Sequence, residues 1–380
     1  MKKKYIILSI ITLVLLITFV TSFNYFKTSN TYVENNSNNQ TKITKGISMN
    51  LEKTAGAGDY KQVTQSSWPT EGYKFNAELS KCENGGEISW DDTKKAVIVS
   101  GNLSDKCYVY FDIYQLTLAE YIKSQYTGTQ GENNIYYHDS SLANGAGDNS
   151  YRYAGASDSV NNYICLGSDA TTCPDANLFR IIGVFGNQTK VIRAKSVGYQ
   201  QWHTSADNTW SSSSLNAYLN GTYLTSLGTI AEKIATTTWK VGGGSGSNIS
   251  ASVPKTAYKN EVGSSASTTI IDKKIGLMYV SDYVFAASPS AWTKILGDYD
   301  GTDANGTSIK TINWMYMGYN EWTISRHSDN TNSAFFVNST GNVLGSNVRS
   351  DNGVRPSFNL ESSVKYVSGS GSMSDPVRVN

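Results

Sequence analysis

Apolar and polar positions alternate in short bursts along most of this chain, and only its first stretch is continuously apolar. Residues 322–326, WTISR, alternate apolar and polar side chains, the period of a half-buried strand. Residues 334–346, AFFVNSTGNVLGS, place two short apolar runs around a Gly-containing turn at 339–342, a hairpin signal. Residues 351–360, DNGVRPSFNL, set a turn at Asp351-Asn352-Gly353 before another strand, with Pro356 marking an edge or a bulge. Together, residues 313–360 read as the core hairpin system of one domain, which the chain from about Gln115 onward encloses.

Upstream, the period changes. LTLAEYIKSQYTG (116–128) is amphipathic at helical spacing, with Leu118, Tyr121, Ile122 and Tyr126 on one face. Residues 127–148 read as a polar loop. NLFRIIGVFGNQTKVIRAKS (177–196) reads as a hairpin turning at Gly186-Asn187. NTWSSSSLNAYLNGTYLTSLG (208–228) reads as a helix capped within 211–214, with Leu215, Tyr218 and Leu219 inward and Gly221 as its stop. Residues 245–267 are rich in Gly, Ser and Ala and read as a long loop; 274–287 read as a strand leading into a loop or turn. The last segment, SDPVRVN, is placed to pair with the start of this domain. Before it, residues 68–114 hold four short β-branched and aromatic runs separated by turns at 83–86 and 91–93, a small β module.

The chain begins differently. Lys2, Lys3 and Lys4 precede an apolar run without a charge, long enough to Phe26 for a membrane span of about 20 residues. Residues 1–26 are therefore expected to be an uncleaved signal anchor with the lysines inside and the rest outside; a cleaved signal peptide is the alternative. Residues 27–67, rich in Asn, Ser, Thr and Gly, cannot bury enough apolar surface to offset their ordering entropy, and read as a stalk. Four cysteines in an exported chain point to disulfides. Cys82 with Cys107 joins two residues of one module, and Cys165 with Cys173 closes a short loop.

Charged residues make up 17% of the chain, below the usual quarter, and 25 tyrosines with many Ser, Asn, Gly and Thr fill the gap. Such a palette suits surfaces that join rigid aromatic contact to adaptable hydrogen bonding. A formal net charge of +1 with no basic stripe excludes nucleic acid as a partner. No catalytic constellation stands out. His138, His203 and His327 lack metal-binding spacing, no Ser elbow is present, and GGGSGS (242–247) lacks the Gly-Lys-Ser/Thr that a phosphate loop needs. GDYDGTDANGTS brings Asp298, Asp300, Asp303 and Asn305 close in sequence, a candidate calcium loop, although its spacing is not the EF-hand register and such residues also form plain turns.

Three ordered motifs carry a resemblance: WSSSSLNAYLNGTY (210–223), WTISR (322–326) and GVRP (353–356) followed by SFNL. They resemble an uncharacterised family of bacterial surface domains, itself similar to the C-type-lectin-like fold of formylglycine-generating enzymes and of the variable proteins of diversity-generating retroelements. NYICLG and CPDANLFRIIGVF, within 162–185, resemble that family's N-terminal portion, so the likeness runs over about 116–379. The resemblance implies an α+β domain over residues 115–380, two helices on twisted antiparallel sheets with long loops. It implies structural roles for Arg326 and Arg355, at the family's W-x-x-S-R and G-V-R-P positions, and for Trp210. The reactive cysteine pair of the enzymes has no counterpart here.

The expectation is a membrane-anchored extracellular binding or adhesion protein without catalysis, its ligand an unknown protein or glycan. Its binding face is expected to draw on Tyr199, Trp202, Trp210, Tyr316, Tyr319 and Trp322. The alternatives are a cell-wall or glycan-active enzyme, for which Asp282, Asp298, Asp300 and Glu321 are the acids to test, or a structural surface-layer component.

Overall fold

A computed structural model of the protein describes residues 47–380, apart from 65–67, 70–71, 102–104, 245–248 and 264–267. The expected anchor and most of the expected stalk lie outside the described residues. Among the described residues no helix is long and apolar enough to cross a membrane. The chain divides into two compact units, Met1–Gln115 and Leu116–Asn380.

Among its described residues, the first unit has strands and no helix. Strands β1 (Ser48–Glu52), β2 (Tyr60–Val63), β3 (Tyr73–Cys82) and β6 (Cys107–Ile113) form a sheet in the order β2-β1-β6-β3; β4 (Glu87–Asp91) and β5 (Ala96–Ser100) form a separate hairpin. Its core is Met49, Leu51, Val97, Val99, Val109 and Phe111. The disulfide Cys82–Cys107 joins residues directly opposite each other in β3 and β6. One expectation is corrected here. The stalk reading of 27–67 fails over 48–63, where β1 lies fully buried and parallel to β6. SMNLE looks polar, but its polar groups are bonded inside: Asn50 donates to the Val109 carbonyl, and Glu52 accepts from the Gly58 and Ile113 amides. Composition misjudges a strand whose polar side chains are satisfied internally.

The second unit mixes many short strands with few, short helices. Its larger sheet has nine strands: β7 (Ile135–Tyr137), β8 (Tyr151–Tyr153), β9 (Tyr163–Cys165), β10 (Leu178–Phe185), β11 (Gln188–Arg193), β15 (Ile275–Leu277), β20 (Pro356–Asn359), β21 (Tyr366–Ser368) and β22 (Val377–Val379). The path runs β15-β20-β11-β10-β9-β22-β21, with β8 pairing the far end of β10 and β7 pairing β8. A second sheet has the order β12 (Tyr199–Gln201), β19 (Asp351–Gly353), β16 (Glu321–Arg326), β17 (Ser333–Val337), β18 (Val343–Asn347). A two-stranded ribbon, β13 (Thr237–Lys240) with β14 (Ile270–Lys273), stands apart. The disulfide Cys165–Cys173 closes the loop after β9.

The helix Leu118–Ser124 buries Leu118, Ala119 and Ile122 and is fixed at its start by a reciprocal Thr117–Glu120 capping box. Ser213 caps the helix Ser214–Tyr218 by accepting from the Asn216 amide. Gly221 does not stop this helix. The chain passes through a π turn, Leu219–Tyr223, and runs on to Ser226. Four further expectations are corrected. The long loop at 245–267 contains the helix Pro254–Glu261. The loop or turn after β15 is the helix Val280–Phe285, buried on every side. Asp351-Asn352-Gly353 is not a turn but the strand β19, paired with β12. Pro356 opens β20 between β15 and β11, so it marks a strand's first residue and not an edge.

Candidate functional site

The site is built on one cross-strand row. Gly183 in β10 lies opposite Arg152 of β8 on one side and Lys190 of β11 on the other, and Lys190 in turn lies opposite Asn359 of β20. Residues opposite one another in a sheet project to the same face. Arg152, Lys190 and Asn359 thus share one floor with Phe185, two residues beyond Gly183. Gly183 is required: a Cβ there would overlap the Tyr151 carbonyl oxygen. The β10–β11 register also shifts between Ile181 and Gly183, where β10 changes partner from β9 to β8.

Over this floor lies a cavity of about 200 Å³. Tyr279, Ser281 and Asp282, at the start of the helix Val280–Phe285, form one wall, and Thr237, Thr238 and Trp239 of β13 form another. Tyr258 and Val262 come from the helix Pro254–Glu261 and the residue after it. Gly276 keeps Trp239 in place, since a Cβ there would press on its ring at 2.9 Å.

The cavity's charges are paired within the protein. The Lys190 ammonium donates to Asp282 Oδ2 at 2.5 Å, and Arg152 donates to Asp148 Oδ2 at 2.6 Å. Arg152 also reaches Asp282 Oδ1 at 3.9 Å, and its guanidinium lies over the Phe185, Phe285 and Tyr258 rings. The second role of Asp282 is helix capping, because its Oδ2 also accepts from the Tyr279 amide. Burial pushes the Lys190 pKa down, and the Asp282 charge only partly restores it. Burial would raise Asp148, but Arg152 and the Ser150 hydroxyl outweigh it and hold that carboxyl at about 2. Behind the wall, Glu261 accepts from the Val280 and Ser281 amides and is bonded to the Ser325 hydroxyl. Burial nonetheless lifts its pKa to about 7, against the pull of those donors. Asn359 donates through Nδ2 to the Thr237 hydroxyl, and its Oδ1 has no partner among the protein's groups.

The expected binding face is largely dismantled. Trp202, Trp210 and Trp322 are buried in the core. Trp202 Nε1 donates to the Thr323 carbonyl, Trp322 Nε1 donates to the Gln200 carbonyl, and the Trp202 and Trp210 rings lie 5.0 Å apart. Large buried rings act as internal props, two of them also tied to internal carbonyls, which is why the aromatic count misled. Tyr199 alone of the six is well exposed, at 59%, with the half-buried Tyr319 ring 6.1 Å away. Tyr316 is half-buried and donates to the Ser339 carbonyl.

The two arginines are both engaged. Arg355, fully buried, grips Glu321 through two donors, Nε at 2.5 Å and a terminal nitrogen at 2.9 Å, and reaches the Met315 carbonyl. Arg326 Nε donates to the Gly242 carbonyl and its guanidinium contacts Asn208. Among the described residues no group of three or more His, Cys, Asp or Glu side chains is placed to hold a metal, so Asp298, Asp300 and Asp303 with Asn305 do not form the expected cluster. Asp303 instead folds its own loop, accepting from the Asn305 and Thr307 amides. Of the four acids singled out for catalysis, Asp282 and Glu321 are each locked to a different cation, while Asp298 and Asp300 are exposed. His138 is buried among Phe285 and Trp292, with Nδ1 accepting from the Ala146 amide.

Sequence reasoning missed Arg152, Lys190, Asn359 and Glu261. The available signal was a charge set inside an apolar strand pattern, as in YRY and QTKVIR.

Over residues 186–362, somewhat less than half of its length, the chain is similar to a family described as a domain of unknown function, DUF6273. The match covers Lys190, Trp239, Asp282 and Asn359, and begins after Asp148 and Arg152. No curated protein and no solved structure matches the chain.

Proposed function

We propose that the protein is a binding or adhesion protein without catalysis, held at a membrane by residues 1–26 and displaying its second unit outside the cell. The observation that carries this reading is the cavity beside Lys190. Its charged groups already have partners inside the protein, which suits holding a ligand better than attacking one. Of the four acids named for catalysis, Asp282 and Glu321 are already held by buried cations, and Asp282 also caps a helix. Two disulfides suit an oxidising space outside the cytoplasm. The lysine-flanked apolar start supplies the anchor, and the polar residues that follow supply a tether. A C-type-lectin-like architecture for residues 115–380 belongs to the same proposal. Short helices beside mostly antiparallel sheets, with segments held by the half-buried Arg326 and the buried Arg355, support it.

The test is an array of glycans and extracellular proteins probed with the full chain, run beside an assay for release of soluble fragments from cell wall and glycans. Saturable capture without release is expected. Sustained release of product, or no saturable capture at all, refutes the reading.

A further inference from the structure

Resting on the binding reading, we infer that the cavity over Arg152, Lys190 and Asn359 takes a small neutral molecule bearing hydroxyl groups and one apolar face. Three observations point to this class.

The first is charge balance. Lys190 is matched by Asp282 and Arg152 by Asp148, each pair at hydrogen-bond distance. An ionic ligand must either break a pair or bring its own charge out of water uncompensated, and both are unfavourable. A neutral ligand avoids both.

The second is an unmet need. Asn359 lines the cavity, is nine-tenths buried, and has an amide oxygen without a partner. A buried carbonyl oxygen of this kind asks for an O–H or N–H donor. A hydroxyl both donates and accepts, so it meets the amide in either orientation. Lys190 adds capacity beside it: its ammonium has three donors, and Asp282 is its hydrogen-bonded side-chain acceptor.

The third is shape and size. Trp239 and Tyr258 on the walls and Phe185 on the floor supply aromatic surface against which the C–H face of a ring can pack. About 200 Å³ holds roughly six or seven waters at about 30 Å³ each, the size of a single small ring and not of a chain. A cyclic polyol or one sugar residue at a chain end has this chemistry.

The experiment uses the full chain, kept in a detergent without a sugar headgroup, and measures binding by calorimetry and ligand-observed NMR. The neutral probes are myo-inositol, glucose and N-acetylglucosamine; the charged probes are acetate, phosphate and ethylammonium. At least one neutral probe is expected to bind saturably and the charged probes not to. Thr238 lies exposed at the cavity's lining, so Thr238→Trp should fold and block the entrance, weakening that probe at least tenfold. Asn359→Leu should weaken it by a similar factor. Binding of charged probes alone overturns the ligand class and leaves the binding reading standing. Neutral binding unchanged in Thr238→Trp overturns the site. Failure of every probe overturns the inference, while consumption of a probe overturns the non-catalytic reading itself.

Discussion

Arg355 offers the sharpest energetic test of this fold. Its guanidinium is fully buried, holds Glu321 through two donors and reaches the Met315 carbonyl. Arg355→Met removes the cation and strands a carboxylate in the interior. Breaking a buried pair from one side costs about 3 to 5 kcal/mol. A unit of this size loses roughly 2 to 4 °C of Tm per kcal/mol, so melting by circular dichroism should fall by about 10 °C. Removing both charges, in Arg355→Met with Glu321→Leu, leaves no stranded ion. The double variant should therefore recover to within about 1 to 2 kcal/mol of the parent, the residue being the lost bond to Met315. The single variant carries a further signature. Burial already lifts the Glu321 pKa, and without Arg355 nothing opposes that lift. Its deficit should shrink as the pH drops and Glu321 takes up a proton. A double variant as unstable as the single one, or a single-variant deficit independent of pH, refutes the view that Arg355 stabilises by neutralising a buried acid.

Two other predictions follow from the site. Glu261 titrates near pH 7 when folded, against 4.5 for a free carboxyl, so its contribution is complete below about pH 4.5 and is lost as the pH rises through 7. The span amounts to about 3 kcal/mol; urea unfolding between pH 4.5 and 8 should show that decline, Glu261→Gln should flatten it, and an identical slope in the variant would remove Glu261 as its source. Gly183→Ala drives a methyl into the Tyr151 carbonyl and should cost at least about 2 kcal/mol, whereas Gly221→Ala, in open space within a helix, should gain up to about 1 kcal/mol; equal melting of the two would contradict the packing described.

What the sequence discloses here is what neighbours along the chain decide. The hairpins β10–β11 and β17–β18 show themselves by apolar runs around a turn, and the helix Leu118–Ser124 by its stripe and its Thr117–Glu120 pair. Two helices stay hidden for opposite reasons. PKTAYKNE buries Pro254, Ala257 and the charged Glu261, so its inner face does not look apolar. VSDYVF is buried all round, so no period distinguishes it from a strand. The cavity is harder still to foresee, because Arg152, Lys190 and Asn359 meet only through register across β8, β10, β11 and β20. No local pattern encodes such a meeting. The tryptophans mislead in the other direction: abundance in the sequence says nothing about which side of the surface a ring occupies.

The larger sheet sets late pieces beside early ones. β22 lies between β9 and β21, and β20 separates β15 from β11. Pairings between segments so remote along the backbone form slowly, since loop closure comes before any reward. A chain made from its beginning onward would keep vacant slots in this sheet until β20 and β22 had been added. In that interval β9 and β11 present unpaired edges that a strand of another chain could join.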